Sequence, residues 1–231
     1  MANAIEYALM AGRAYQTTRG KINWLPDLLS LGWTEFFHVP DTSIPIPITT
    51  TSGFEAISFQ KGNEIVISFA GTGSGVDWLA NLANGIGLTS DQLRQAADYY
   101  LKVKAANPDA TISFTGHSLG GGLASLLAVF FGETAVTFDQ APFRNSASIS
   151  VANDLVSYLS DPARGYDSPE LTQSLTQTLQ GLNNFIGAAD NGGIPNESNV
   201  LDISVQGEAL SILSSVPLIN RIGTQTIMPQ G

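Results

Sequence analysis

Thr111–Phe131, TISFTGHSLGGGLASLLAVFF, reads as a short apolar strand, a tight turn and an apolar helix, and the rest of the chain is organised around it. The turn, Gly116-His117-Ser118-Leu119-Gly120, has the pattern G-x-S-x-G, in which a serine sits on a strained strand-to-helix turn with its hydroxyl exposed above a sheet. Gly116 and Gly120 allow strand and helix to close up where side chains would collide. The helical part is apolar nearly all round, which predicts burial on every side, and Gly132 marks its end.

Upstream, Gly53–Gln60 and Glu64–Ala70 are strand candidates joined by Lys61-Gly62-Asn63, a hairpin turn. The second, EIVISFA, is nearly all apolar, as a strand covered on both faces must be, and it runs into Gly71-Thr72-Gly73-Ser74-Gly75. A glycine-rich loop at the carboxyl end of a buried strand is where an α/β sheet places ligand-binding groups. No Gly-Lys-Ser/Thr follows, so the loop is not a P-loop. Asp91–Asn107 predicts a helix capped by Ser90 and ended by Pro108, and Ala135–Phe138 another buried strand. Strand, helix, strand, helix, strand in that order implies right-handed parallel crossovers and an α/β fold.

Nearer the N-terminus, Ala2–Gln16 predicts a packing helix with Ile5, Ala8, Leu9, Gly12 and Tyr15 on its inner face. Lys21–Ser52, interrupted by Pro26, Pro40, Pro45 and Pro47, predicts a loop pinned by Trp24, Trp33, Phe36 and Phe37. After Pro142 a long excursion predicts two helices, one capped by Ser150 and one by Ser168 with Pro169 at its first position. Gly187–Asn199 reads as a loop leading to a last strand candidate, Val200–Val205, and the closing RIGTQTIMPQG as loop.

Composition narrows the partners. With 43% hydrophobic and 13% charged residues, 231 residues suffice for one domain with a substantial core. Twenty acidic against ten basic residues, a net charge of −10, disfavour nucleic acid and anionic membrane surfaces. The chain has no cysteine, hence no disulfide framework and no thiolate chemistry, and this does not decide the compartment. Its first residues lack the basic and continuously apolar regions of a signal peptide.

A serine hydroxyl becomes a nucleophile when a base takes its proton, an acid orients that base and donors stabilise the oxyanion. Ser118 is the candidate nucleophile. The N–H of Leu119, just after it, is one candidate oxyanion donor, and Thr72, just past the end of Glu64–Ala70, is the other.

Ile67–Leu82, ISFAGTGSGVDWLANL, together with Ile112–Ala128, ISFTGHSLGGGLASLLA, resembles the class 3 lipases, an α/β-hydrolase family acting on acylglycerols and related lipid esters. Weaker similarity extends from about Ala2 to Phe143, and Ala70 stands where the family often has arginine. The resemblance implies an α/β-hydrolase fold with a mostly parallel central sheet, Ser118 as nucleophile, an oxyanion donor at Thr72, and a structural role for Asp77-Trp78. It places residues 143–199 where lipases often carry lids, although a helical subdomain that never moves fits the same pattern. The expected substrate is a lipid ester, triacylglycerol or phospholipid, at a lipid interface. No redox or nucleotide cofactor is implied, while calcium and export without an N-terminal signal are features of some relatives; a cytoplasmic enzyme fits as well.

The acid is expected at the end of a later strand. Glu208, which closes Val200–Val205, is the first choice and resembles the family's acidic residue there. Asp139, after Ala135–Phe138, is the alternative, and Asp202 points along its strand. Triads of this fold run serine, acid, histidine, yet no histidine follows Ser118. His117 occupies the variable position of the turn, where its side chain leaves in another direction, and His38 lies early in the chain. The base is therefore expected from beyond residue 231, on a continuation or a C-terminal fragment of the same polypeptide. The alternative is a catalytically silent lipid-binding or scaffold domain.

Overall fold

The computed structural model describes residues 1–16, 27–39, 54–71, 90–205 and 221–229. Its seven-stranded sheet has the order β1-β2-β3-β4-β5-β6-β7, so the strands lie side by side in the order of the chain. They are β1 (Thr34–Val39), β2 (Ala56–Lys61), β3 (Glu64–Phe69), β4 (Thr111–His117), β5 (Thr134–Phe138), β6 (Val200–Val205) and β7 (Thr224–Met228). β2 pairs antiparallel with both β1 and β3, and from β3 onward every pairing is parallel. The β2–β3 hairpin closes Lys61 on Glu64, with Gly62 at φ +61° in the turn, a conformation that favours glycine.

Five helices accompany the sheet among the described residues: α1 (Ala4–Arg13), α2 (Ser90–Ala106), α3 (Leu119–Phe131), α4 (Ile149–Leu159) and α5 (Pro169–Ala189). Right-handed crossovers that always step in the same direction put their helices on one face. Accordingly α2 to α5 share one core with Ile65, Ile67, Phe69, Ile112 and Phe114 of β3 and β4. The opposite face is left to α1, whose Tyr7, Leu9 and Met10 pack, with Ala14 just beyond the helix, against Ile57, Phe59, Val66 and Trp33. This is the two-residue alternation of a sheet with both faces covered. On the α1 face the small polar residues bind the helix: Tyr7 Oη donates to Ser113 Oγ (2.8 Å) and Ser68 Oγ to the Met10 carbonyl (3.0 Å).

Several expectations need correction. The inner face of α1 is Tyr7, Leu9, Met10 and Ala11, of which Leu9 was expected, and Ile5 is 72% exposed. The cause is the helix start, where Asn3 and Glu6 form a capping box and the Glu6 carboxylate turns inward to accept from Trp33 Nε1 (3.0 Å). Residues 34–39, expected as loop, form β1, because the prolines flank that segment without entering it; a register shift between Phe36 and Val39 and Phe37 at φ 52° hide its strand pattern. Ser148, not Ser150, caps α4 by accepting from the Val151 N–H (3.4 Å). α5 starts as expected, with Ser168 Oγ accepting from the Leu171 N–H (3.2 Å), but runs through Gly187 to Ala189. Val200–Val205 is not the last strand, since β7 pairs parallel to it; all five β7 residues are exposed, so no buried face announces it.

α4 and α5 are fastened to α2 and α3. Arg94 Nε donates to Asp154 (3.0 Å), Ser174 Oγ to the Leu101 carbonyl (2.8 Å) and Tyr166 Oη to Asp98 (2.6 Å), while the Phe130 and Phe185 rings meet edge to face at 4.8 Å. The outward face of α5, with Thr172, Gln173, Thr176, Gln177, Gln180 and Asn183, is polar and uncharged.

Candidate active site

Parallel strands bring their carboxyl ends to one edge, and the serine turn stands there. β4 ends at His117, α3 begins at Leu119, and Ser118 between them has φ 57° and ψ −125°. For a residue with a side chain this backbone costs about 1–3 kcal/mol and persists only where neighbours over-determine it. They do so here. The Ser118 N–H donates to the Phe138 carbonyl (3.1 Å), and the Ser118 carbonyl accepts from the Gly122 N–H (3.0 Å) and the Ala141 N–H (2.9 Å). A methyl group at Gly116 would collide with the Gly120 backbone, and one at Gly120 with the Phe69 carbonyl. Helix and strands therefore meet with no room for side chains, which leaves Ser118 half-buried at the top of the turn.

Leu119 is the first residue of α3 and buried; N–H groups in a first helical turn have no acceptor within the helix. Thr72, the other expected oxyanion donor, lies outside the described residues, as do Asp77 and Trp78. The chain just before Thr72 is placed. A methyl group at Gly71 would stand 3.1 Å from the His117 carbonyl, so the exit of β3 lies against the entrance of the turn.

Glu208 also lies outside the described residues. Asp139 follows β5 at the same edge, 9% exposed and at φ 43°. Its N–H donates to the Ile203 carbonyl (3.0 Å) and its Oδ1 accepts from the Val205 N–H (3.0 Å), so this carboxylate splices the ends of β5 and β6. Asp202 is fully buried and accepts from Thr137 Oγ1 (3.2 Å), the Gln140 N–H (3.3 Å), Ser204 Oγ (3.0 Å) and Arg221 Nη1 (3.3 Å). Burial holds its carboxyl above the usual aspartate range, against the pull of Arg221 and of these donors.

His117 leaves the turn on the α1 side of β4. Its Nδ1 lies 3.0 Å from Tyr15 Oη and the two rings meet edge to face at 5.9 Å. The residue is exposed, yet desolvation by the packing around its ring pushes its pKa below the ordinary histidine value; the charge of Asp139 opposes the shift. His38 belongs to β1, three strands from β4 and so about 14 Å across the sheet at the usual strand spacing. The structure thus brings together Ser118, Leu119, Asp139 and His117, and the last of these is tied to Tyr15.

Two participants were not singled out from sequence. Tyr15 looked like one more residue of a packing helix, and Arg221 lay in a stretch without pattern; both act through contacts distant in the chain. Among the described residues no group of three His, Cys, Asp or Glu side chains is gathered to hold a metal ion. A cavity of about 210 Å³ lies between β1 and α2, lined by Phe37, Val39, Phe54 and Tyr99, with no residue of the serine turn in its wall.

Comparison with known proteins places this edge in context. The lipase from Rhizopus microsporus var. chinensis superposes on 98% of the chain, over 76% of its own length, with a TM-score of 0.52 at 15% identity. A fungal lipase–inhibitor complex superposes on 95% of the chain and 77% of its own, with a TM-score of 0.51 at 15% identity. These likenesses establish the α/β-hydrolase fold: a mostly parallel sheet flanked by helices, with an added helical insertion. In sequence, the extracellular phospholipase A1 of Serratia liquefaciens is 42% identical over 90 residues, 39% of this chain and 28% of that protein. A putative lipase of Eremothecium gossypii is 56% identical over 50 residues, 21% of this chain and 9% of its own length. These curated relatives are matched over less than a third of their length. The link to lipases and esterases is therefore carried by both fold and sequence, and a phospholipase-like family model matches residues 7–167. The chain belongs to the family of Tle-like phospholipase domains.

Proposed function

We propose that the chain is a serine-dependent carboxylic ester hydrolase of the class 3 lipase type, acting on phospholipid esters ahead of triacylglycerol. The observation that carries the reading is the backbone of Ser118, held in a strained conformation between β4 and α3 by three backbone hydrogen bonds and two glycines. Ser118 Oγ attacks the ester carbonyl carbon while a base takes its proton. The C=O bond becomes an oxyanion held by the N–H groups of Leu119 and Thr72; its collapse expels the alcohol, which takes up the proton. Water then attacks the acyl-enzyme by the same route and releases the fatty acid. Glu208 orients the histidine base, and Asp139, already engaged by Val205, is the second choice for that role. The proposed base is a histidine from outside these 231 residues, a reading supported by the tie of His117 to Tyr15 and by the place of His38 on a strand three positions from β4. The α4–α5 insertion acts as a fixed cover, which its ties to α2 and its polar outer face support. The preference for phospholipid rests on the family and on the Serratia relative, whose name also favours action outside the cell.

The test is labelling by a fluorophosphonate, mapped by mass spectrometry, on the full-length protein. Attachment at Ser118, abolished in Ser118→Ala, is the expected result. An unlabelled Ser118 would mark a catalytically silent lipid-binding domain. Release of fatty acid from phospholipid vesicles, compared with emulsified triacylglycerol, then tests the substrate.

A further inference from the structure

We infer that Tyr15 is a positioning residue for the nucleophile: its hydroxyl locks the peptide that enters Ser118 and spaces it from the exit of β3. The inference rests on the reading of Ser118 as nucleophile. Tyr15 lies in the short 3-10 turn Ala14–Gln16 that follows α1, and its Oη is 3.1 Å from the His117 carbonyl and 3.0 Å from His117 Nδ1. One hydroxyl proton serves both contacts when Tyr15 donates to the carbonyl and Nδ1–H donates to Oη.

The acceptor carbonyl belongs to the peptide group between His117 and Ser118. The N–H of that same group donates to the Phe138 carbonyl at 3.1 Å. The peptide plane is therefore gripped at both ends, by α1's extension on one side and by β5 on the other. Ser118 φ is the rotation between this plane and the serine Cα, so fixing the plane helps fix φ at 57° and with it the direction of Oγ.

Gly71 adds an independent observation. A methyl group there would collide with Tyr15 Oη and stand 3.1 Å from the His117 carbonyl. The hydroxyl thus fills the space between the serine turn and the residue before Thr72. One oxygen atom sets the separation of the serine turn and Gly71.

The experiment compares wild type, Tyr15→Phe, Gly71→Ala and the double variant in the full-length protein, reading hydrolysis of a soluble short-chain ester, fluorophosphonate labelling rate and thermal midpoint. Tyr15→Phe keeps the ring and loses only the hydroxyl. Its kcat and labelling rate are expected to fall by about tenfold or more, since misplacement by an ångström costs about a hundredfold, with KM within about twofold and the midpoint nearly unchanged. Gly71→Ala should lose at least as much, and adding Tyr15→Phe should recover part of that loss, because removing Oη relieves the closest of the contacts the methyl would make while the His117 carbonyl stays at 3.1 Å. An unchanged kcat in Tyr15→Phe, a loss matched by a fall in thermal midpoint, or losses that simply multiply in the double variant would each overturn the positioning role. Absence of labelling at Ser118 in the wild type would overturn the nucleophile reading itself and the inference with it.

Discussion

Replacing Arg221 by methionine should expose how the strand-end edge is held. The Asp202 side chain is fully buried and that of Arg221 is 4% exposed, so their 3.3 Å contact lies in a dry interior. Removing one partner of such a pair typically costs about 3–5 kcal/mol, because the remaining charge is stranded. Three neutral donors, from Thr137, Gln140 and Ser204, would still reach Asp202, which puts the expected loss near the lower end, about 3 kcal/mol. For a chain of this size that is a fall in thermal midpoint of roughly 6–12 °C. The penalty must depend on pH. Burial already raises the folded pKa of Asp202, and without Arg221 it rises further. A carboxyl raised on folding contributes fully below its unfolded pKa, near 4, and its contribution is lost as pH rises through the folded value. Arg221→Met should therefore lose more against wild type at pH 8 than at pH 5, and Asp202→Asn added to it should recover most of the loss at pH 8. Urea and thermal unfolding followed by circular dichroism measure both. A penalty under about 1 kcal/mol at pH 8, or a double variant no more stable than Arg221→Met, would refute the reasoning.

Other outcomes follow from the same geometry. Gly187→Ala, inside α5 with open space around the new methyl, should stabilise by about 0.5–1 kcal/mol in chemical denaturation, whereas Gly181→Ala, 3.1 Å from the Phe131 backbone, should not. Gly120→Ala drives a methyl into the Phe69 carbonyl and should cost at least about 3 kcal/mol, with fluorophosphonate labelling of Ser118 lost in whatever remains folded. The NMR titration of His117 should have its midpoint below the ordinary 6.5, and lower again in Asp139→Asn, because the opposing charge is gone. Since folding favours the neutral ring, the stability His117 contributes is present above its unfolded pKa and is lost as pH falls through the folded value; a midpoint above 6.5 would contradict the packing described.

The serine turn was legible in the sequence because its constraints are local: two glycines at fixed offsets, an apolar strand before them and an apolar helix after. The hairpin, α2 and the Ser168 cap were legible for the same reason. β1 was not, since a bulge and a left-handed Phe37 erase alternation, nor was β7, which has no buried face to alternate against. The face of α1 was read correctly at Leu9 and misjudged at Ile5, because Glu6 turns its charge to a cap and to Trp33 and leaves Ile5 outside. Asp139 was placed correctly at a strand end, but that its carboxylate receives the Val205 N–H is a contact between residues 66 positions apart. Tyr15 and His117 are 102 apart, and no periodicity announces such a pair.

The coincidence of strand order with chain order bears on how the protein is made. Among the described residues no strand has to be threaded between two earlier ones, so the sheet can grow by accretion at one edge as the chain leaves the ribosome. α1 is the exception, because Tyr7 finds its hydrogen-bond partner Ser113 only 106 residues later. The first helix synthesised can begin to dock on β2 and β3 but completes its contacts only when β4 is in place, and loop closure over that distance is slow compared with local pairing. The clasp that Tyr15 places on the serine turn likewise waits for residue 117, so β1, β2 and β3 can pair in a nascent chain whose nucleophile is still unset.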